Sequence, residues 1–224
     1  IATVARDAGR RVGLVTTTTV THATPAGFAA STRSRSAEEA IAAQYIDNVD
    51  VVLGGGLRFF EGSSRKDGCD LLARYDQAGF TRLASRRELK QRLDDPRMPA
   101  KMLGLFSHAM IPYSLDRLHD AALEDSVPTL AEMTSAALAS LRHSPKGFLL
   151  LVEGGRVDHA AHNNDAAAQL WEQLAFDEAI ETVLAFAGEH PETLIVITAD
   201  HGNGNPAIGG KWAMPDSSAN GFAM

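Results

Sequence analysis

Short β-branched and leucine-rich runs alternate along this chain with longer stretches of helical periodicity. Val12–Thr17, Val49–Leu53, Met102–Phe106, Phe148–Val152 and Thr193–Thr198 are near-continuous apolar runs of strand length. Such runs suit strands buried on both faces. Between them, Glu38–Asn48, Pro128–Arg142 and Asn164–Gly188 read as helices, and Ala2–Ala8 reads as another. Thr129 is placed to cap the helix after Pro128, with Glu132 three residues on completing a capping box. In the longest helix, Leu170, Leu174, Ile180, Val183, Leu184 and Ala187 recur at helical spacing, and Gly188 is placed to stop it. Residues 61–100 interleave charges of both signs and predict surface helices and loops.

Strand and helix in alternation predict an α/β fold: a mainly parallel central sheet flanked by helices on both faces. No composition shift marks a boundary, so residues 1–224 read as part of a single domain. The chain opens inside a helical pattern at Ile1 and ends at Met224 in a Gly/Asn/Ser stretch, so both ends read as cuts. In open parallel sheets, ligands bind beyond the carboxyl ends of the strands. The positions to inspect therefore follow Thr17, Leu53, Phe106, Val152 and Thr198.

Two of those strand ends are unusual. In Leu149-Leu150-Leu151-Val152-Glu153-Gly154-Gly155-Arg156-Val157-Asp158-His159-Ala160-Ala161-His162, a greasy strand runs into a carboxylate and two glycines. Asp158 and His162 follow at i and i+4, which on a helix puts both side chains on one face, within reach of one metal. In Leu194-Ile195-Val196-Ile197-Thr198-Ala199-Asp200-His201-Gly202, a second apolar run ends in adjacent Asp and His. Taken singly, an Asp-His pair after a strand is commonly a helix cap and an i,i+4 pair a surface interaction. Two such strand ends on one parallel sheet are far more informative. His and Asp suit a hydrolytic metal such as zinc, and Glu153 is hard enough for magnesium. Upstream, a threonine run leads into His22, Thr24 and Pro25. Alone, that segment reads as a helix start with Thr24 as cap and Pro25 in the first turn. Arg35 lies near the same helix, and a guanidinium can clamp a phosphate bidentately.

Composition narrows the chemistry. Net charge is −7, so there is no basic footprint for nucleic acid, and an oxyanion substrate would need local cations. The one cysteine, Cys69, rules out a disulfide or a thiolate zinc cluster within these residues. No apolar run approaches the roughly 20 residues of a membrane span. Gly54-Gly55-Gly56 follows a strand but lacks the Gly-Lys-Ser/Thr of a P-loop, and no Gly-x-Ser-x-Gly elbow occurs.

The chain resembles the alkaline phosphatase family. The resemblance rests on Val-Glu-Gly-Gly-Arg-Val-Asp-His-Ala-Ala-His at 152–162, Thr-Ala-Asp-His at 198–201 and Thr-His-Ala-Thr-Pro-Ala at 21–26. Leu-Gly-Gly-Gly at 53–56 and Pro-Thr-Leu-Ala-Glu-Met-Thr at 128–134 also match, all in the family's order. The resemblance implies a phosphomonoester hydrolase with two zinc ions and one magnesium ion, working by in-line displacement through a phosphoserine. It assigns Asp158 and His162 to the first zinc, and Asp200 and His201 to the second. Glu153 and Thr24 go to magnesium, with His22 reaching it through water, and Arg35 goes to the substrate phosphate. The nucleophilic serine and a shared aspartate are expected upstream of Ile1, and a further zinc histidine downstream of Met224. The segment alone is therefore expected to be inactive and to bind metal weakly. The family is usually exported to the periplasm, cell surface or medium, and commonly forms homodimers. The rival readings are a phosphodiesterase, sulfatase or phosphoglycerate mutase of the same superfamily, and a non-catalytic metal- or phosphate-binding relative.

Overall fold

The computed structural model describes residues 1–95, 97–203, 207–208 and 222–223. Its centre is a sheet of β1 (Arg11–Thr19), β2 (Val51–Gly55), β3 (Thr81–Leu83), β4 (Met102–Leu105) and β5 (Phe148–Glu153), all paired in parallel. The spatial order is β3-β4-β2-β1-β5. The chain winds outward from β1 through β2 and then crosses back to lay β5 on the other side of β1. The β1/β5 boundary is thus the topological switch point, where the crossovers diverge and where open parallel sheets commonly bind ligands. A separate two-stranded ladder pairs Ala207–Ile208 with Phe222–Ala223.

Period-two alternation splits the sheet's side chains between two cores. Val12, Leu14, Val52, Leu103 and Leu105 face α1 (Ala2–Asp7), α2 (Ala23–Ala29), α3 (Glu38–Asn48) and α4 (Leu71–Gln77). Buried Ile41, Tyr45, Leu71 and Tyr75 fill that side. Val15, Val51, Leu53, Leu83 and Met102 face α5 (Arg86–Leu93), α8 (Leu130–Leu141) and α10 (Ala166–Glu189). Each fully buried aliphatic side chain stabilises the fold by about 1.5–3 kcal/mol. Between β4 and α8 lie α6 (Ser114–His119) and α7 (Ala121–Ser126), and α9 (Arg156–His162) follows β5. Asp50 staples the amino end of the sheet: its buried Oδ2 accepts from the Val12 amide at 2.8 Å and from Arg6 at 3.1 Å.

The expected α/β sheet with helices on both faces is present, and α3 spans the expected residues. At α8 the expected capping box forms: Thr129 Oγ1 accepts from the Glu132 amide, and Glu132 accepts from the Thr129 amide, both at 3.0 Å. Four departures have physical reasons. Thr193–Thr198 pairs with no strand among the described residues, and Leu194 and Val196 are 86% and 76% exposed. Strand-forming composition becomes a strand only through ladder bonds to a neighbour, and the outer edge of β5 carries none to this run. Secondly, α2 begins at Ala23 with His22 as its cap and no capping side chain, so Thr24 and Pro25 are its second and third residues. Proline is tolerated there because first-turn amides have no acceptor within the helix. Thirdly, α10 runs past Gly188 to Glu189. Leu170, Leu174 and Leu184 on that helix are exposed, while its inner side is formed by Ala168, Glu172 and Ala179. Lastly, β3 lies inside the stretch read as surface helices and loops.

Glu132 also receives a forked contact from Arg86, through Nε at 2.8 Å and Nη2 at 2.8 Å, with Lys90 at 3.5 Å. Burial pushes the Glu132 carboxyl up, but Arg86 and the Thr129 amide outweigh it and hold it below the ordinary glutamate range. Glu132→Gln should destabilise the protein by about 1.5–3 kcal/mol at pH 7. A depressed folded value stabilises above the unfolded pKa, and that stability is lost as pH falls through the folded one. Urea melts should therefore show the gap between wild type and E132Q narrowing below the ordinary glutamate range, near pH 4.5. A gap independent of pH contradicts this role.

Candidate functional site

The carboxyl ends of β1 and β5 are in register, with Thr16 opposite Glu153. Thr16 Oγ1 donates to Glu153 Oε2 at 2.5 Å, and Thr18 Oγ1 lies 3.4 Å from the same oxygen. Gly155 sits where the chain leaves β5 for α9. Its φ of −68° suits any residue, but a Cβ there would come 2.5 Å from Thr18 Cγ2 and 3.0 Å from Glu153 Cδ. Space beside the carboxylate, and not backbone freedom, is what demands glycine at this position.

Helix α9 carries the next two candidates. Asp158 Oδ2 and His162 Nε2 lie 3.6 Å apart at i and i+4, so the expected shared face exists. The head of the helix is pinned to β1 by the Arg156 amide, which donates to Thr17 Oγ1 at 3.1 Å. The Arg156 guanidinium lies 3.7 Å from the Tyr113 ring centroid. Tyr113 Oη in turn accepts from Asn163 Nδ2 at 3.3 Å, closing a clamp around α9.

Arg156 Nη1 also lies 3.2 Å from His159 Nδ1. Guanidinium can only donate, so this nitrogen is the unprotonated one. Burial pushes the His159 imidazole down, and neighbouring Arg156 and His22 push the same way. The His159 and His22 rings meet edge to face at 5.3 Å. Arg35 Nη2 lies 3.3 Å from His22 Nε2, which must likewise be an acceptor. His22, Arg35, Arg156 and His159 therefore form a cluster of cations and imidazoles beside Asp158, in a chain of net charge −7.

Asp200 and His201 keep company with each other, their Oδ2 and Nε2 3.4 Å apart, and both are exposed. Two residues on, Asn203 Nδ2 donates to Asp158 Oδ1 at 2.7 Å and to Asp158 O at 3.2 Å, so this segment reaches α9. Thr24 sits in the first turn of α2. Among the described residues, no three His, Cys, Asp or Glu side chains gather around one point. The donors nevertheless fit metal ions in kind: two separate Asp–His pairs suit zinc, and a carboxylate held by hydroxyls suits a hard cation.

The candidate carboxylates and histidines stand out in the sequence, but the side chains that contact them do not. Thr16 and Thr17 fall at the end of the expected strand Val12–Thr17 and Thr18 in the threonine run beyond it, with no sequence signal for what their hydroxyls contact. Arg156 and His159 stood inside the 152–162 motif without a role. Asn203 carried no signal.

The family described as alkaline phosphatase matches residues 1–219. Alkaline phosphatase 4 of Bacillus subtilis is 35% identical over 212 residues, covering 92% of this chain and 43% of that protein. The crystal structure of Thermus thermophilus alkaline phosphatase has a TM-score of 0.85 and 44% identity, covering 93% of this chain and 43% of that one. A mutant of the TAB5 alkaline phosphatase solved with magnesium bound is 29% identical with a TM-score of 0.76, over 93% of this chain and 57% of that one. The chain thus spans less than half the length of the curated relatives it matches.

Crowding at the β5–α9 corner predicts that Gly155→Ala lowers stability by about 1–3 kcal/mol, the usual cost of overpacking. Thermal unfolding measures it, and an unchanged Tm contradicts the packing described around Glu153.

Proposed function

The chain belongs to the alkaline phosphatase family, and on that premise we propose that the whole protein hydrolyses phosphate monoesters with two zinc ions and one magnesium ion. What supports this reading most is the placement of the candidate groups along the fold: Glu153 ends β5 opposite Thr16 of β1, the Asp158–His162 pair lies on α9 directly after it, and the His22–Arg35 pair follows β1. Asp158 and His162 are assigned to the first zinc, Asp200 and His201 to the second, Glu153 and Thr24 to magnesium, with His22 beside it. Each pair supplies two of the three protein ligands usual at a catalytic zinc, so further donors come from outside the described residues. When bound, the metals would lower the charge on the phosphoryl oxygens and polarise the ester.

This chain's own residues have separate tasks. Arg35 would orient the phosphoryl group through its guanidinium fork, donating to two oxygens as charge develops on them. Donation to His22 occupies one Nη2 position, which holds the fork in place without using all five donors. His159, whose imidazole is pushed down by burial and by Arg156, would stand near the substrate as a hydrogen-bonding group. Arg156 and Tyr113 hold α9 rigid, which keeps the Asp158–His162 spacing. The nucleophile would be a serine outside these residues, and the intermediate a phosphoserine. Without that serine, the segment by itself would be inactive. Export from the cytoplasm and a homodimer belong to the same reading. Among the described residues, no helix is long and apolar enough to cross a membrane.

In the full-length protein, Asp158→Ala and His201→Ala should each abolish monoester hydrolysis and lower zinc content. Arg35→Ala should weaken kcat/KM by about 10- to 1,000-fold with the metals retained, as for loss of one transition-state donor. Parallel assays on a phosphate monoester, a phosphate diester and a sulfate ester separate the readings. Preference for the diester or the sulfate ester sinks the monoesterase, and full zinc with no hydrolysis of any ester points to a binding protein.

A further inference from the structure

The threonine run at the end of β1 is wired into three different elements. Thr16 and Thr18 contact Glu153 of β5, while Thr17 caps the head of α9. Thr19 and Thr21 both donate to Glu38 Oε2 of α3, at 2.8 and 2.7 Å. All but Thr17 are 0% exposed, and Thr17 is 5% exposed. Five buried hydroxyls within six residues could serve only to satisfy a polar strand end, but the geometry at Glu153 is more selective than that.

Thr16 Oγ1 accepts from the Thr18 amide at 3.0 Å, so the backbone fixes one of its lone pairs. Thr18 Oγ1, 2.8 Å from Thr16 Oγ1, has the Thr19 carbonyl at 3.0 Å as its own acceptor, and the single Thr16 hydroxyl hydrogen is aimed at Glu153 Oε2, at the short distance of a hydroxyl–carboxylate bond. Both hydroxyl contacts fall on Oε2, and Oε1 takes no hydrogen bond among the described residues. Oε1 faces Gly155, where a Cβ would stand 3.2 Å away. One oxygen is thus held, and the other is left toward a gap kept clear by a glycine.

We propose that Thr16, assisted by Thr18, is the positioning residue that fixes the Glu153 carboxylate so that Oε1 is presented to magnesium. This rests on the reading of Glu153 as a magnesium ligand. Thr16 touches neither substrate nor metal and acts through the carboxylate. Outer partners of this kind commonly change metal affinity by about 10- to 100-fold when removed.

Thr16→Val tests it, because valine keeps the shape and the β-branch and deletes only the hydroxyl. In the zinc-loaded full-length protein, magnesium affinity measured by equilibrium dialysis should weaken by about 10- to 100-fold. Zinc content should stay near wild type, the Tm of the metal-free protein should fall by only a few degrees as the Thr18 amide loses its acceptor, and Thr16→Ser should restore magnesium affinity. Glu153→Gln is the control. If E153Q loses magnesium and T16V binds it like wild type, the clamp is overturned and the ligand assignment stands. If E153Q also binds magnesium like wild type, the ligand assignment fails, and the clamp with it. Should T16V fail to fold, Thr18→Val carries the same prediction with a smaller loss, and unchanged affinity there overturns the clamp.

Discussion

The parallel register of β1 against β5 is the constraint on which the rest of the site depends. It sets Thr16 opposite Glu153 and so places a hydroxyl against a carboxylate at the switch point of the sheet. A one-residue slip would turn every side chain to the other face, separating that pair and misdirecting the two cores together. Burial therefore specifies the site indirectly: Val12, Leu14 and Val15 pack only in this register, and packing them correctly positions the threonines beyond them. The same strand end turns the Thr17 hydroxyl to α9, so the helix bearing Asp158 and His162 is referenced to the sheet rather than to a loop.

Electrostatics follow the same economy. A chain of net charge −7 repels anions at long range, so an anion site has to be local. Arg35, His22, His159 and Arg156 form a local cluster of that kind, and each member is held by another or by an aromatic ring. Arg156 shows how one side chain can have several roles: its backbone is capped by Thr17, its guanidinium stacks on Tyr113, and its Nη1 selects the tautomer of His159.

The parts legible in the sequence were those governed by local rules. The α8 capping box needs only Thr129 and Glu132 at their spacing, and the Asp158–His162 face needs only helical periodicity. What was missed depends on partners distant in the chain. The Thr16–Glu153 bond joins residues 137 positions apart, and no spacing rule anticipates it. Strand β3 is three residues long with polar positions, too short to show a period. Thr193–Thr198 has strand composition but no ladder partner among the described residues, because strand formation is a property of pairs. Exposed Leu170 and Leu174 show the complementary limit: helical spacing locates an apolar face without saying what covers it.

The central claim is that metal ions are held by these particular side chains at the β1/β5 switch point. Anomalous X-ray diffraction at the zinc edge, from crystals of the full-length protein, tests it most directly. The account predicts one zinc peak bound by both Asp158 and His162 and a second bound by both Asp200 and His201, with metal–ligand distances of about 2.0–2.2 Å. Zinc peaks that avoid these four residues, or none in zinc-saturated crystals, would contradict it.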